Sequence, residues 1–492
     1  MHISAVCRVL GNILLLLAGS MFLCYAFGLV EEFGMGKEFS REDGLLLSAG
    51  ITALVGLIAV YRTRPLQNRW EIQRKEAMAI VGLGWIFAGM FGSLPYLFAT
   101  PGLGFAGSLF ESVSGFTTTG STVIADLTEY PRSLLLWRAL TQWLGGAGIL
   151  VLFVAILHRS GIGSKSLFRQ ESTGVDPEGM RGGTRQMATI LWLIYLGLSS
   201  LCFVGLWILT RDPFAAITHT LTSVSTGGFS PYNESIAYFQ NWAVEYWILL
   251  FMALGGISFP FLTLCLLRNR ERIRVEEETG FYFLLLLMGI LILGFDLRWE
   301  YGNGFGDTLR ATSFQVVSIM TTTGYITADY DQWGTVSRVT LVLLMLVGGC
   351  AGSTAGGMKV GRILILLKTT RHEIIRSFRP RQVFSLWLNG NPVSAPLVTQ
   401  CFFFLNLTGL ILAIGTITVA ELEQQLSLTE SFSAVVATLC NIGPGLGSVG
   451  AIGNFSQLGD ATWIVLSALM ILGRLEFFAI LALLCPSLWR KS

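Results

Sequence analysis

Thr118-Thr119-Gly120 interrupts one apolar stretch and precedes another, and the same event recurs at Ser225-Thr226-Gly227, Thr322-Thr323-Gly324 and Asn441-Ile442-Gly443. The copies are spaced by roughly a hundred residues, too long for a solenoid unit, so each reads as a subdomain of a fourfold pseudo-symmetric assembly. The axis of such an assembly is the natural place for a pore.

Working outward, the chain of 492 residues is 52% hydrophobic and only 13% charged, the balance of a polytopic membrane protein. Its 33 basic and 31 acidic residues leave a net charge of +2, which makes no case for a nucleic-acid partner. The eight cysteines are scattered without a CxxC pair, so neither a disulfide framework nor a zinc site is expected. Cys350, Cys440 and His219 read as packing residues.

The first apolar run, Val6 to Val30, is long enough to span a bilayer and lacks a small-residue cleavage site, so it reads as a retained helix. A second span, Gly44 to Tyr61, runs into Arg62, Arg64, Arg69, Arg74 and Lys75. Similar basic clusters follow at 158–169, 268–274 and 368–381 and at the C-terminal Arg490 and Lys491. Placing every cluster in the cytoplasm makes each repeat start and end inside, with both termini cytoplasmic. The expected fold is therefore all-α and polytopic: four helix, pore-loop, helix repeats around a central pore, preceded by two extra N-terminal helices. The expected boundaries are 1–65 for the extension, then 66–170, 171–275, 276–381 and 382–492.

In the first repeat, spans near Met78 to Ala99 and Ser133 to Leu157 flank Ser108 to Phe116, which is too short to cross ~30 Å of hydrocarbon and must dip in and return. Capping patterns predict the starts of the four short helices: Ser108 with Glu111, Asp212-Pro213, Asp307, and Ser427 with Glu430. Their C-terminal dipole ends then converge with partial negative charge, which favours a dehydrated cation. The glycine after each helix lets backbone carbonyls turn to the axis, as in potassium filters. The candidate filter residues are the twelve of the four triplets.

Two features lie below that level. Gly348, Gly349, Gly352, Ser353, Thr354, Gly356 and Gly357 stand inside an apolar segment from Leu341 to Leu367, where regular helix is not expected and irregular backbone is tolerated only against a cavity. Met358 between Gly357 and Lys359 breaks the Walker pattern, so this is no phosphate loop. Arg474, inside the apolar stretch Leu466 to Leu484, must face a cavity or a partner; Lys359 is either a second pore charge or a snorkelling residue.

At these residues the chain resembles the Trk/Ktr/HKT superfamily of potassium transporters, and within it the TrkH/TrkG branch. The resemblance covers nearly the whole chain and rests on the four loops, on Gly348-Gly349-Cys350-Ala351-Gly352-Ser353-Thr354, on Gly473-Arg474-Leu475-Glu476 and on the extra helix pair. It implies K+ (with Rb+) carried inward across the bacterial inner membrane and no cofactor. It further implies one pore in each protomer of a homodimer, segment 348–357 as an intramembrane gate, Arg474 as a charge beside the pore, and regulation by a cytosolic nucleotide-binding ring of TrkA type. Ser121 and Ala355 depart from the usual pattern, where alanine and glycine are common. The basic connections are either topology determinants or a docking face, with 161–185 the best candidate contact. A Na+- or H+-coupled symporter is the alternative; it needs an acid in the pathway, and the acids lie mostly in loops or at short-helix starts. A membrane enzyme would need clustered acids or histidines at depth.

Overall fold

The computed structural model describes residues 2–35, 43–63, 73–146, 148, 184–266, 273–274, 276–301, 304–382 and 385–489. Among these, six helices are long and apolar enough to cross a membrane: they lie within Ile3–Glu31, Gly44–Arg62, Lys75–Leu97, Ala188–Thr210, Glu277–Arg298 and Ala395–Leu422. Side chains such as Leu54, Ile208, Phe295 and Ile417 lie mostly exposed along them. Apolar surface on that scale is a liability in water and the expected exterior in lipid. The first two helices pack at close range because Gly11 and Gly56 each face the other's carbonyl oxygen, where a Cβ would lie 2.9 Å away.

The last four of the remaining long helices and their sequels share one order of elements. A long helix leads to a short one, the four being Gly104–Phe116, Pro213–Val224, Phe305–Met320 and Leu428–Leu439. At 1.5 Å per residue none reaches across ~30 Å. A loop then returns to a 3-10 turn, at Leu127–Glu129, Ser235–Phe239, Tyr330–Gln332 and Phe455–Gln457, the fourth loop carrying a second such turn at Gly447–Val449. A further helix begins just after each, at Arg132, Trp242, Thr335 and Asp460.

Two of the four expected caps form as read. Asp212 accepts from the Phe214 N–H with Pro213 in the first turn, and Ser427 with Glu430 makes a full capping box. The other two do not. The first short helix starts at Gly104, which buries Ser108 within it and frees Glu111 for another role, and the third starts at Phe305 with Asp307 in its first turn.

The helices after the 3-10 turns are interrupted, and not only in the third repeat. Trp242–Gly255 and Phe259–Leu266 meet at 100°, and Asp460–Arg474 and Phe478–Leu484 at 116°. Arg474 thus ends a helix instead of lying in the middle of one. Thr335–Val347 gives way to the loop 348–359 before Val360–Phe378 resumes. The helix Arg132–Gly146 ends at the same level; the expected continuation to Leu157, the 161–183 part of the candidate contact and most of the basic clusters at 158–169 and 268–274 lie outside the described residues. The described residues form strand only in the hairpin Trp387–Leu388 and Asn391–Pro392, turned by Asn389 and Gly390 at positive φ.

Candidate functional site

Each short helix ends in the same six-residue geometry. In the first, the Thr118 N–H donates to the Gly115 carbonyl (3.0 Å) and the Thr119 N–H to the Ser114 carbonyl (2.9 Å), the paired bonds of a Schellman motif. The same two bonds recur from Thr226 and Gly227, from Thr322 and Thr323, and from Asn441 and Ile442. The residue at the left-handed position is Thr118 (φ 54°), Thr226 (52°), Thr322 (56°) or Asn441 (56°). Asparagine tolerates that region, but a β-branched threonine there is strained by about 1–3 kcal/mol, and such strain collects at functional sites.

The next glycines close a ring. A Cβ on Gly120 would lie 2.3 Å from the Gly227 carbonyl oxygen, one on Gly228 1.8 Å from that of Thr323, and one on Gly324 2.0 Å from that of Ile442. Gly443 completes the circuit, its Cβ position being 2.9 Å from the Thr119 oxygen. All four glycines have φ between 78° and 109°, so side chains are excluded by backbone conformation and by space together. In the ring the second-repeat counterpart of Thr118-Thr119-Gly120 is Thr226-Gly227-Gly228, one residue beyond the expected triplet, and Ser225 is the helix cap, as are Thr117, Thr321 and Cys440. Aligning the second loop on its second glycine, Gly228, instead of its first gives that register, a threonine two residues before the ring glycine as in Thr118 and Thr322.

Buried polar side chains brace the loops from behind. Ser114 and Ser318 donate to the carbonyls of Ser121 and Tyr325, and Ser121 Oγ donates to the Gly443 carbonyl (2.8 Å), which gives this departure residue a structural task. Asn441 Nδ2 donates to Thr119 Oγ1 at 2.9 Å. Glu111, released from capping, accepts from the Val123 N–H and from Arg138 Nε at 2.5 Å. Arg138 then donates to the Ser230 carbonyl and lies 3.5 Å from the centre of the Phe229 ring. His219 packs as expected, its ring nitrogens bonded to the Ala215 carbonyl and Ser230 Oγ.

The 348–359 loop lies directly against the inner ends of these loops. Gly348, Gly352 and Gly357 take φ near 75°. The Gly356 N–H donates to Thr322 Oγ1 (2.6 Å) and the Gly357 N–H to the Cys440 carbonyl (3.0 Å). Thr226 Oγ1 donates to Thr354 Oγ1, whose own hydroxyl donates to the Val224 and Gly255 carbonyls. Gly349 packs on Ala355, and Ser353 Oγ donates to the Cys350 carbonyl. The breaks in the neighbouring helix contribute too: the Cys350 N–H reaches the Gly256 carbonyl, and the Phe259 N–H reaches that of Gly352.

Arg474 joins the two layers. Its guanidinium donates at 2.9 Å to Thr118 Oγ1, to the Thr354 carbonyl and to the Gly145 carbonyl. Lys359 is buried, not snorkelling, and its ammonium donates to the Ala355 carbonyl. Glu476 pairs with Arg362, whose guanidinium lies 4.4 Å from the centre of the Phe404 ring. Glu278 had no place in the sequence reading; its buried carboxylate accepts from the Ala351 N–H (2.6 Å) and the Gly361 N–H (3.0 Å), at the two ends of the loop. Among the described residues no cluster of three acids, cysteines or histidines could hold a metal ion.

The model of the TrkH family, described as a cation transport protein, matches residues 50–293 and 304–490. The chain is 33% identical to the Trk system potassium uptake protein TrkH of Escherichia coli (strain K12) over 496 residues, covering all of both chains. It is 31% identical to TrkG of the same organism over 424 residues, 86% of this chain and 87% of that one. The crystal structure of the potassium transporter TrkH from Vibrio parahaemolyticus superposes with a TM-score of 0.87 at 30% identity, again over all of both chains. With its helix order, its four Schellman-ended short helices and a full-length match of this kind, the chain belongs to the TrkH family of cation transport proteins.

Proposed function

We propose that this protein is the K+-conducting subunit of a Trk-type uptake system, with the four loops as its selectivity filter. The observation that carries the reading is the closed circuit of glycine-to-carbonyl contacts at the ends of four convergent half-helices. Helix C-termini and carbonyl oxygens favour a dehydrated cation and repel an anion. The filter residues are Thr118, Thr119, Gly120, Thr226, Gly227, Gly228, Thr322, Thr323, Gly324, Asn441, Ile442 and Gly443, in four repeats with the boundaries given above. The 3-10 turns face the periplasm and the basic connections the cytoplasm of the inner membrane. A second copy of the chain and a cytosolic nucleotide-binding ring of TrkA type complete the assembly that the resemblance implies.

The loop 348–359 is the gate in this reading. Its backbone fills the space under the filter, and Arg474 both pins it and places a positive charge in the path of a cation. Arg474→Ala removes three hydrogen bonds, so basal K+ flux without any partner should rise several-fold; unchanged flux would remove Arg474 from the gate.

The deciding test is uptake of K+, Rb+ and Na+ into liposomes under an imposed voltage, beside a Gly324→Ser variant whose Cβ would sit 2.0 Å from the Ile442 oxygen. Voltage-driven K+ and Rb+ flux above Na+ flux, lost in the variant, supports the pore. Flux that requires a co-ion gradient, or that ignores the substitution, would favour the Na+- or H+-coupled symporter.

A further inference from the structure

The four loops agree in backbone conformation but not in composition. Between the left-handed residue and the ring glycine stand Thr119, Gly227, Thr323 and Ile442, so glycine occurs there once. The space a side chain would need is taken by Gln142, since a Cβ on Gly227 would lie 2.4 Å from both Cδ and Oε1 of that residue.

Gln142 is buried and bonds the loop on both sides of Gly228. Its Nε2 donates to the Gly227 carbonyl at 2.6 Å, and its Oε1 accepts from the Phe229 N–H at 3.0 Å. The counterparts of Gln142 can be identified because Gly145, Gly255 and Gly473 each pack on the carbonyl of the last residue of a short helix, Phe116, Val224 or Leu439. Three residues before those glycines stand Gln142, Met252 and Met470. Only the first carries an amide.

The oxygen that Gln142 holds is the one against which Gly120 packs, equivalent to the Thr119, Thr323 and Ile442 oxygens elsewhere in the ring. A carbonyl has two lone pairs, so it can accept from an amide and still face an ion, with its direction now set. The loop with the most backbone freedom, Gly227-Gly228, is therefore the one tied down. Discrimination by a carbonyl filter depends on the size of the cage and on how freely its dipoles move.

We propose that Gln142 is a specificity-determining positioning residue, which fixes the Gly227 carbonyl and thereby sets the discrimination between K+ and Na+. This rests on the pore reading above. The test is the reversal potential of the full chain in liposomes under K+ on one side and Na+ on the other. Gln142→Met installs the residue of the equivalent positions and removes both bonds, and Gln142→Leu removes both with a branched apolar side chain of similar size. In both, the K+/Na+ permeability ratio should fall about tenfold, the worth of one hydrogen bond, while K+ flux stays within about threefold of wild type. Should the methionine variant fail to fold, the leucine variant decides alone. A ratio within twofold of wild type in the variants that reconstitute overturns the proposal and leaves the pore reading standing; wild-type protein without voltage-driven K+ flux defeats the pore reading itself.

Discussion

Single residues carry this site through the space they do not fill. Gly228 and Gly227 differ in what excludes a side chain: backbone in one case, the Thr323 carbonyl oxygen at 1.8 Å, and the Gln142 side chain in the other. Either substitution to alanine should lower K+ flux in liposomes by more than about tenfold, as overpacking of a dense interior does. Adding Gln142→Ala should restore flux to Gly227→Ala and leave Gly228→Ala inactive; rescue of both would contradict the corrected register. The strained threonines are held by their hydroxyls as well as by the helix ends. Thr118 accepts from Arg474 and Thr322 from the Gly356 N–H, so the strain is located where the Thr/Gly loops meet Arg474 and the 348–359 loop.

At the scale of elements, the interrupted loop is held at both ends by one carboxylate on a different helix. Glu278 sits in the first turn of Glu277–Tyr301, and its oxygen meets the Gly361 N–H in the first turn of Val360–Phe378, where the helix dipole favours an anion. Glu278→Ala leaves the buried Gly361 N–H and the half-buried Ala351 N–H without their acceptor, a loss of about 1–3 kcal/mol for the buried one. Basal flux should rise and hydrogen exchange at 351–361 should quicken, with Glu278→Gln much milder because it retains an acceptor. An alanine variant with wild-type exchange would show that Glu278 does not hold this loop. Just before that helix, burial and then the Glu278 carboxylate push Glu276 up from 4.5 to about 7. A carboxyl that holds its proton more tightly when folded stabilises the protein fully below 4.5, and this contribution is lost as pH rises to about 7. Glu276→Gln should therefore flatten the fall in thermal stability between pH 5 and 7.5 relative to wild type; parallel curves would count against it.

For the whole molecule, the prediction concerns which way it faces. Ile452 is 77% exposed beside the 3-10 turns, and Asn391 is exposed in the hairpin at the opposite end. With Cys265 and Cys485, the exposed cysteines of the described residues, replaced by serine, a membrane-impermeant maleimide should label Ile452→Cys in intact spheroplasts. Asn391→Cys should label only after the membrane is opened, and the reverse pattern would invert the topology. The same arrangement lets distant segments meet at one ring: Ser121 and Gly443 are bonded across 322 positions of chain. Such contacts cost closure entropy that only the packed helices around them can offset.

Much of this architecture is written in local sequence. The Thr/Gly loops, the half-helices too short to span, the cap at Asp212, the capping box at Ser427 and the irregular segment 348–357 are all local patterns, and local hydrogen bonding and hydropathy determine them within a few turns. Arg474 could be picked out for the same reason, as a charge in apolar surroundings. What the chain alone did not settle was how segments meet. Ser108 loses its cap because the helix starts four residues earlier, and Glu111 turns instead to Arg138 and Val123. The break after Arg474 lies in a stretch, Leu466 to Leu484, that reads as one apolar span, since the bond to the 348–359 loop comes from a residue about a hundred positions away. Gln142 carries no local signal in a helix that also holds Arg138 and Thr141; periodicity reports which face is buried, and only tertiary packing sets its amide against Gly227.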